Sequence, residues 1–328
     1  MVSSALALQL CWRPFELLLP QPLQTAQGVV AARRGWLLRL STADGRVGWG
    51  EAAPLTGALT PLASAIEVLG RAHDRAALED RLPSLPPVLA FALGAALAEL
   101  DGLPLLGWLS APASAELLPA GEAALEVLER WLAISPAITS PTFKWKVAVE
   151  DDARERAVLE QLLLRLPKAA WLRLDANGGW DRCTALAWAK RLEAEPRLQW
   201  LEQPLAPDDG AGLRELTRRY PGIPIALDEA LALQPALRQS WSGWQVRRPS
   251  QDGDPRPLLE ALERGVPRLM LSTGFETGIG RRWLEHLAAL QARGPTPVAP
   301  GLAPGWQPTG DLGADDPQRV WHAAGAEL

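Results

Sequence analysis

From about residue 116 onward the chain repeats one supersecondary unit: a short apolar strand, a turn and an amphipathic helix. Eight candidate strands follow one another: ELLPAG, FKWKVAV, WLRLDAN, LQWLEQP, IPIALDE, WQVRRPS, RLMLSTG and PVAPG. Polar residues near six of the strand ends are separated by 20 to 29 residues: Lys146, Asp175, Glu202, Asp228, Arg248 and Ser272. A (β/α)8 barrel of about 250 residues averages about 31 per unit, so the spacing predicts such a barrel. A doubly wound parallel sheet has the same alternation and stays open as an alternative.

The first 85 residues have a different texture. The strand-like pieces ALALQLCW and GWLLRLSTADGRVGWGEAAPL are joined by turn signals such as ADGR, and helical segments follow from about Leu62 to Leu103. This part predicts a separate α+β module.

Composition excludes several classes of protein. The 328 residues are 48% hydrophobic, and a net charge of −5 disfavours a nucleic-acid surface. Two cysteines make no disulfide framework and fit a reducing cytoplasm. The N-terminus lacks the basic residues of a signal peptide, and the apolar run 86–103 is interrupted by Glu99 and Asp101, so we expect a buried helix and no membrane partner.

The stretch PTFKWKVAVE holds two of the four lysines in the chain, whose other 29 basic residues are all arginines. Strand alternation puts Lys144 and Lys146 on one face and an apolar set on the other: Phe143, Trp145, Val147 and Val149. In a barrel the apolar face packs against the helices, so both lysines would point inward. A lysine can lose its proton whereas an arginine cannot, which indicates proton transfer. The alternative is a half-exposed strand with both lysines in water.

Three carboxylates, Asp175, Glu202 and Asp228, end three consecutive candidate strands. The carboxyl ends of parallel strands converge at the barrel mouth. Oxygen ligands select a hard cation, so the pattern predicts Mg²⁺, with Mn²⁺ as a substitute. Each aspartate taken alone could instead be a helix cap.

The stretches TFKWKV, LRLDAN, WLEQPL and IALDEAL resemble the enolase superfamily, whose members use a Lys or His base with Mg²⁺. GRVGWGEAAPL and LMLSTGFETGIG are similar to the o-succinylbenzoate synthase family within it. The resemblance implies a (β/α)8-type (TIM-like) barrel at 111–302 and an α+β capping domain at 1–110, completed by the tail 303–328.

The implied activity is Mg²⁺-dependent syn-dehydration of a small carboxylate, 2-succinyl-6-hydroxy-2,4-cyclohexadiene-1-carboxylate. The product is o-succinylbenzoate, formed through an enediolate in menaquinone or phylloquinone biosynthesis. By resemblance Asp175, Glu202 and Asp228 ligate the metal and Lys146 is the general base. Lys144 lies near the substrate carboxylate, where its charge stabilises the enediolate and lowers the pKa of Lys146.

Four further residues match family positions that hold the succinyl carboxylate, largely through backbone N–H groups: Ser272, Thr273, Gly274 and Gly301. Ordinary loop formation is the alternative for each of them. The stretch from Thr25 to Gly28 matches a mobile specificity loop.

The chain departs from the family on the sixth strand, where QVRRPS replaces the Ile-Lys-Pro of relatives. Arg248 therefore stands where a second lysine is expected. It keeps a cation for electrostatic stabilisation, including by stacking over the substrate ring, and loses a proton carrier. The alternative is a surface arginine before a loop proline.

Other functions stay open. Within the superfamily these are N-succinylamino-acid racemase, dipeptide epimerase and muconate cycloisomerase, and Arg248 and LSTGFETGIG disfavour the first two. A Schiff-base barrel enzyme would leave the three carboxylates without a purpose, and a non-catalytic scaffold would not need the lysine pair. We expect a monomer or a small homo-oligomer.

Overall fold

A computed structural model of the 328-residue chain describes residues 7–25, 28–135 and 140–325. These residues form two compact units. The first comprises the chain up to Pro112, Arg247–Pro267 and the chain from Leu271 onward, and the second comprises Ala113–Val246 and Arg268–Met270. Ala26 and Gln27, at the centre of the expected specificity loop, lie outside the described residues.

The first unit contains an antiparallel sheet of four strands in the order β3-β2-β1-β4. The strands are β1 Ala7–Thr25, β2 Gly28–Thr42, β3 Val47–Ala52 and β4 Ala72–Asp74. The expected turn at ADGR joins β2 to β3, with Gly45 at a φ of 89° that favours glycine. The predicted α+β module thus has its sheet.

Three helices follow in this unit: α1 Thr60–Leu69, α2 Arg75–Arg81 and α3 Pro87–Leu100. The predicted buried helix is α3, and it packs closely on β3. A Cβ at Gly48 or Gly50 would lie 1.9 or 2.0 Å from a backbone oxygen of α3, so only glycine permits this approach. Within the described parts of the chain, no helix is both long and apolar enough to span a membrane.

The second unit is built on a parallel sheet whose strand order follows the chain. Its seven strands are β5 Glu116–Leu118, β6 Thr142–Lys146, β7 Trp171–Asp175, β8 Leu198–Glu202, β9 Ile225–Leu227, β10 Trp244–Arg247 and β11 Leu269–Leu271. The final residues of β10 and β11 are counted with the first unit.

The eighth candidate strand, PVAPG, was a wrong prediction. Only an isolated parallel bridge forms there, between Ser272 and Gly301. Pro297 and Pro300 carry no N–H group and cannot donate to a ladder, which explains why the strand does not extend.

Helices follow the strands of the second unit in sequence: α4 Ala123–Ile134, α5 Asp152–Arg165, α6 Arg182–Leu192, α7 Gly210–Arg219, α8 Glu229–Leu233 and α9 Leu237–Ser240. Aspartate side chains cap the first turns of α5, α6 and α7 by accepting backbone N–H groups. The core between these helices and the sheet contains Trp145, Trp188 and Leu159, each fully buried.

The alternation expected for β6 holds up to its end. Phe143, Trp145 and Val147 are fully buried in this core. Val149, predicted on the same face, is instead 58% exposed. The chain turns at Ala148, where φ is 61°, and the period of two ends there.

The rest of the first unit comprises α10 Pro249–Asp252, α11 Arg256–Glu263, α12 Gly278–Ala292 and α13 Pro317–Ala323. The C-terminal segment returns to the antiparallel sheet of this unit. The ring centroids of Trp321 in α13 and Trp49 in β3 are 5.6 Å apart. Both rings share an apolar cluster with Ile279 of α12.

Candidate active site

Three buried carboxylates lie at the carboxyl ends of neighbouring strands in the second unit. Asp175 and Glu202 are the last residues of β7 and β8, and Asp228 follows β9 directly. Their exposed fractions are 4%, 0% and 4%. The parallel ladder pairs Lys146 with Asp175 and Asp175 with Glu202, so the strand ends are level with one another.

Lys144 reaches into this group from the inward face of β6. Its Nζ lies 2.7 Å from Oδ2 of Asp175 and 2.5 Å from Oε1 of Glu202. Only 15% of the Lys144 side chain is exposed. We call Lys144, Asp175, Glu202 and Asp228 the strand-end cluster.

The charges of this cluster act strongly on one another. Burial alone would lower the pKa of Lys144, but Asp175, Glu202 and Asp228 together outweigh it and raise that pKa. Burial would raise the pKa of Asp175, yet the Lys144 charge holds it below its usual value. For Glu202 burial prevails over Lys144, and its pKa is raised. The lysine is therefore held as a cation.

Lys144 thus contacts Asp175 and Glu202 directly, and its expected place beside a substrate carboxylate stays a prediction. A set of buried carboxylates needs a cation, and the Lys144 ammonium supplies one to Asp175 and Glu202. Within residues 7–25, 28–135 and 140–325, no group of three or more His, Cys, Asp or Glu side chains is arranged to hold a metal. The donor set itself, three carboxylates and no softer ligand, suits a hard divalent cation once the ammonium moves.

Gln203 and Asn177 fix the strand ends, the first through its side-chain amide and the second through its backbone N–H, and the sequence pattern indicated no role for either residue. Oε1 of Gln203 accepts the backbone N–H groups of Asp228 at 3.2 Å and Ala230 at 3.0 Å. The backbone N–H of Asn177 donates to Oδ1 of Asp175 at 3.0 Å. Both residues have positive φ angles, 38° and 44°. Their only signal in the sequence was their place beside the acidic residues of WLEQPL and LRLDAN.

An arginine and a tryptophan lie next to the strand-end cluster on the same faces of β7 and β8. The Arg173 guanidinium lies 4.1 Å from the centroid of the Trp200 ring and donates to Oε1 of Gln199 at 2.6 Å. The Trp200 indole N–H donates to Oε2 of Glu202 at 3.2 Å. Burial lowers the pKa of Arg173 to about 9, against the opposing charge of Glu202.

The remaining predicted residues belong to the first unit. Arg248 is half-buried between β10 and α10, and its neighbour Arg247 pairs with Asp252 at 2.6 Å. Ser272 and Gly301 form the isolated bridge, and the N–H of Thr273 donates to the carbonyl of Gly301 at 3.0 Å.

The backbone N–H groups expected to hold a substrate carboxylate donate within the protein. The Ser272 N–H donates to the Arg247 carbonyl and the Gly301 N–H to the Leu271 carbonyl, at 2.9 and 2.8 Å. The Gly274 N–H donates to Oε1 of Glu276 at 2.7 Å. A ligand carboxylate could accept hydrogen bonds from these N–H groups only by replacing their present acceptors within the protein.

Glu276 belongs to a second group of buried charges in the first unit, together with Glu51 and Arg33, which we call the Glu51–Glu276 cluster. Glu276 also accepts the hydroxyl groups of Ser250 at 2.5 Å and Thr273 at 2.7 Å. All three charged residues are no more than 3% exposed. Both glutamates lie in the quoted family motifs, but nothing in those motifs showed that they would be neighbours.

Glu51 closes the N-terminus of α12. Its Oε2 accepts the N–H and hydroxyl groups of Thr277, at 2.9 and 2.6 Å, and the N–H of Gly280 at 3.2 Å. Burial raises the pKa of Glu51 to about 7, although Thr277 and Arg33 oppose that shift.

Residues 135–240 match the family model described as "Enolase C-terminal domain-like". The chain is also 37% identical to the o-succinylbenzoate synthase of Thermosynechococcus vestitus over 289 residues, which cover 84% of this chain and 87% of that relative. The chain belongs to the o-succinylbenzoate synthase family of the enolase superfamily. This confirms the fold predicted from the sequence, a barrel domain with an α+β capping domain.

Other members of the superfamily are also similar. A solved o-succinylbenzoate synthase from Thermosynechococcus elongatus BP-1, complexed with Mg in the active site, aligns with a TM-score of 0.76 and 33% identity, covering 91% of this chain and 94% of that one. The L-Ala-D/L-Glu epimerase of Bacillus subtilis is 30% identical over 65% of this chain and 64% of its own length. A solved structure of that epimerase shares the fold, with a TM-score of 0.68 and 23% identity over 89% of each chain.

Proposed function

We propose that the protein is an o-succinylbenzoate synthase, a carbon–oxygen lyase. It removes water from 2-succinyl-6-hydroxy-2,4-cyclohexadiene-1-carboxylate and forms the aromatic product. The observation that carries this proposal is the combination of an inward lysine pair and three buried carboxylates on a chain of this family.

Asp175, Glu202 and Asp228 are the residues that would hold Mg²⁺, or Mn²⁺ in its place. The bound cation supplies positive charge beside the substrate carboxylate, which makes the neighbouring C–H group more acidic. With a cation held by the three carboxylates, Asp175 and Glu202 would no longer need the Lys144 ammonium, which would then be available to the substrate carboxylate.

Lys146 is the general base. As a neutral amine it takes the α-proton, and as the resulting ammonium it returns a proton to the departing hydroxyl group on the same face of the ring. Both steps use one residue, which gives syn elimination. Arg248 holds negative charge on the substrate between the two steps and moves no proton.

Ser272, Thr273, Gly274 and Gly301 hold the succinyl carboxylate. Since their N–H groups already donate within the protein, the hydroxyl groups of Ser272 and Thr273 are the easier donors to redirect. A side-chain hydroxyl can rotate without breaking the backbone ladder.

We assign residues 1–110 and the tail 303–328 to the capping domain and 111–302 to the catalytic barrel. We place the enzyme in the cytoplasm, in menaquinone or phylloquinone biosynthesis, as a monomer or a small homo-oligomer.

Epimerisation is the second candidate because of the Bacillus subtilis relative. Exchange of a proton between two faces of one carbon needs an acid/base group on each face. A guanidinium at position 248 cannot act as a base near neutral pH, which favours dehydration.

The test of this function is conversion of the cyclohexadiene carboxylate to o-succinylbenzoate by the purified protein. Solvent deuterium exchange into each enantiomer of an N-succinylamino acid is measured in parallel. We expect dehydration without exchange into both enantiomers. Efficient exchange into both would contradict the proposal and would show that Arg248 is not the group opposite Lys146.

A further inference from the structure

The segment that follows Lys146 turns sharply through a strained residue. Ala148 has a φ of 61°, which disfavours any residue with a Cβ. The Ala148 side chain fits because residue 179 is glycine. A Cβ added to Gly179 would lie only 2.9 Å from the Cβ of Ala148. An interaction is needed to keep Ala148 in this conformation.

The carboxylate of Glu155 supplies that interaction. It accepts three consecutive backbone N–H groups, from Ala148 at 2.8 Å, Val149 at 2.9 Å and Glu150 at 3.0 Å. Glu155 is 1% exposed. A buried carboxylate in a concave set of N–H groups makes charge-assisted hydrogen bonds that a neutral side chain cannot replace.

Glu155 lies in the first turns of α5, so its carboxylate ties that helix to the end of β6. Val147 is the single residue between Lys146 and the segment that Glu155 holds. Its N–H donates to the Asp175 carbonyl at 2.9 Å, and its side chain is buried. The backbone around Lys146 is thus fixed by β7 on one side and by Glu155 on the other.

We infer that Glu155 is a positioning residue for Lys146: its carboxylate holds residues 148–150 and thereby sets the direction of the Lys146 side chain. The inference rests on the proposed role of Lys146 as general base. It assigns Glu155 no contact with substrate or metal.

Glu155→Gln tests this. The amide offers one oxygen, and its NH2 group faces a backbone N–H that then lacks an acceptor. Because a misplacement of about 1 Å can cost about 10² in rate, we expect kcat to fall roughly tenfold to a hundredfold with KM little changed. Mg²⁺ affinity should stay the same, since Asp175, Glu202 and Asp228 are held by other contacts. Glu155→Asp is the second variant if the first does not fold.

Asp151→Ala is the matched control. The exposed Asp151 also accepts backbone N–H groups of α5, from Ala153 and Arg154, but none from residues 148–150. The Asp151→Ala substitution removes a cap from the same helix and should leave kcat unchanged. An equal loss of kcat in this control would overturn the inference, because the loss would then come from helix stability.

A second readout is independent of turnover. With lysines ¹³C-labelled at Cε, the chain gives four signals, from Lys144, Lys146, Lys168 and Lys190, assignable by lysine-to-arginine variants. Glu155→Gln should move or broaden the Lys146 signal and leave those of Lys168 and Lys190 in place. An unmoved Lys146 signal in both Glu155 variants overturns the inference. An inactive unmutated protein would remove the proposed function, while the spectra would still decide the role of Glu155.

Discussion

The strand-end cluster and the Glu51–Glu276 cluster both bury carboxylates, but they satisfy the negative charge in different ways. In the strand-end cluster a single lysine ammonium contacts two carboxylates. In the other cluster, backbone N–H groups and hydroxyl groups surround the oxygens of Glu51 and Glu276.

The difference separates an exchangeable site from a fixed one. Movement of one flexible side chain, Lys144, would open Asp175 and Glu202 to another cation. Withdrawal of Glu51 would leave three donors at the start of α12 without this acceptor: the N–H and hydroxyl groups of Thr277 and the N–H of Gly280. The helix dipole also favours a negative charge there. We therefore expect substitutions in the first cluster to change chemistry and those in the second to change stability.

The largest expected effect is that of Glu202→Gln. A neutral amide is a poor ligand for a hard cation, so turnover should fall by at least about 10³, the upper range for loss of one charge-stabilising group. Added Mg²⁺ should raise the thermal unfolding midpoint of the unmutated protein and of Glu51→Gln, but not of Glu202→Gln. If Glu202→Gln keeps both its activity and the rise of its unfolding midpoint with Mg²⁺, the two clusters do not differ in the way proposed.

Lys146→Arg should reduce kcat by roughly 10² to 10⁴, the range for loss of a general base. The positive charge remains and the proton acceptor does not. Single-turnover measurements of substrate α-deuterium loss provide the check. Near-normal turnover would mean that another group takes the proton.

Arg248 should have a smaller effect. Arg248→Lys keeps the cation and should keep the dehydratase activity, whereas Arg248→Ala should lower kcat about tenfold to a hundredfold through lost charge stabilisation. Equal activities of the two variants, measured at saturating substrate, would contradict an electrostatic role.

Glu51→Gln tests the Glu51–Glu276 cluster through the pH dependence of the free energy of unfolding. The folded pKa of Glu51 is raised to about 7 from an ordinary 4.5, so the folded state binds more protons than the unfolded state between these values. The free energy of unfolding should then fall as pH rises from about 4.5 to about 7, by about 1 to 3 kcal/mol from this one group. In Glu51→Gln, the free energy of unfolding, measured by urea unfolding at each pH, should no longer show this fall.

Glu160→Gln is the control for that experiment. A hydrogen bond from Arg191 lowers the pKa of the half-exposed Glu160, so its contribution changes only at lower pH. It should leave the slope between pH 5 and 7 unchanged. A slope unaltered by Glu51→Gln would show that Glu51 ionises normally in the folded protein.

Local pattern predicted the frame of the site. Alternation placed Lys144 on the face opposite Phe143 and Trp145, and strand-end positions brought Asp175 and Glu202 together. These features depend on periods of two residues and on parallel strands, which a sequence displays directly.

Features that depend on partners distant in the chain could not be predicted. The partners Glu51 and Thr277 are 226 residues apart, and no period links them. The contact between Lys144 and Glu202 depends on which buried charges lie within reach, and the alternation within β6 does not show that. Glu155 is near its partners, but as one of several acidic residues in EDDARER it resembled an ordinary first-turn charge.

We expect the carboxylates at the strand ends to hold an exchangeable cation that is used in dehydration. The direct test follows formation of o-succinylbenzoate by the unmutated protein with Mg²⁺, after addition of a chelator, and after Mg²⁺ is restored. We expect turnover with Mg²⁺, its loss in chelator and its recovery on restoration. Full turnover in excess chelator, or none with Mg²⁺ present, would contradict this role of the carboxylates.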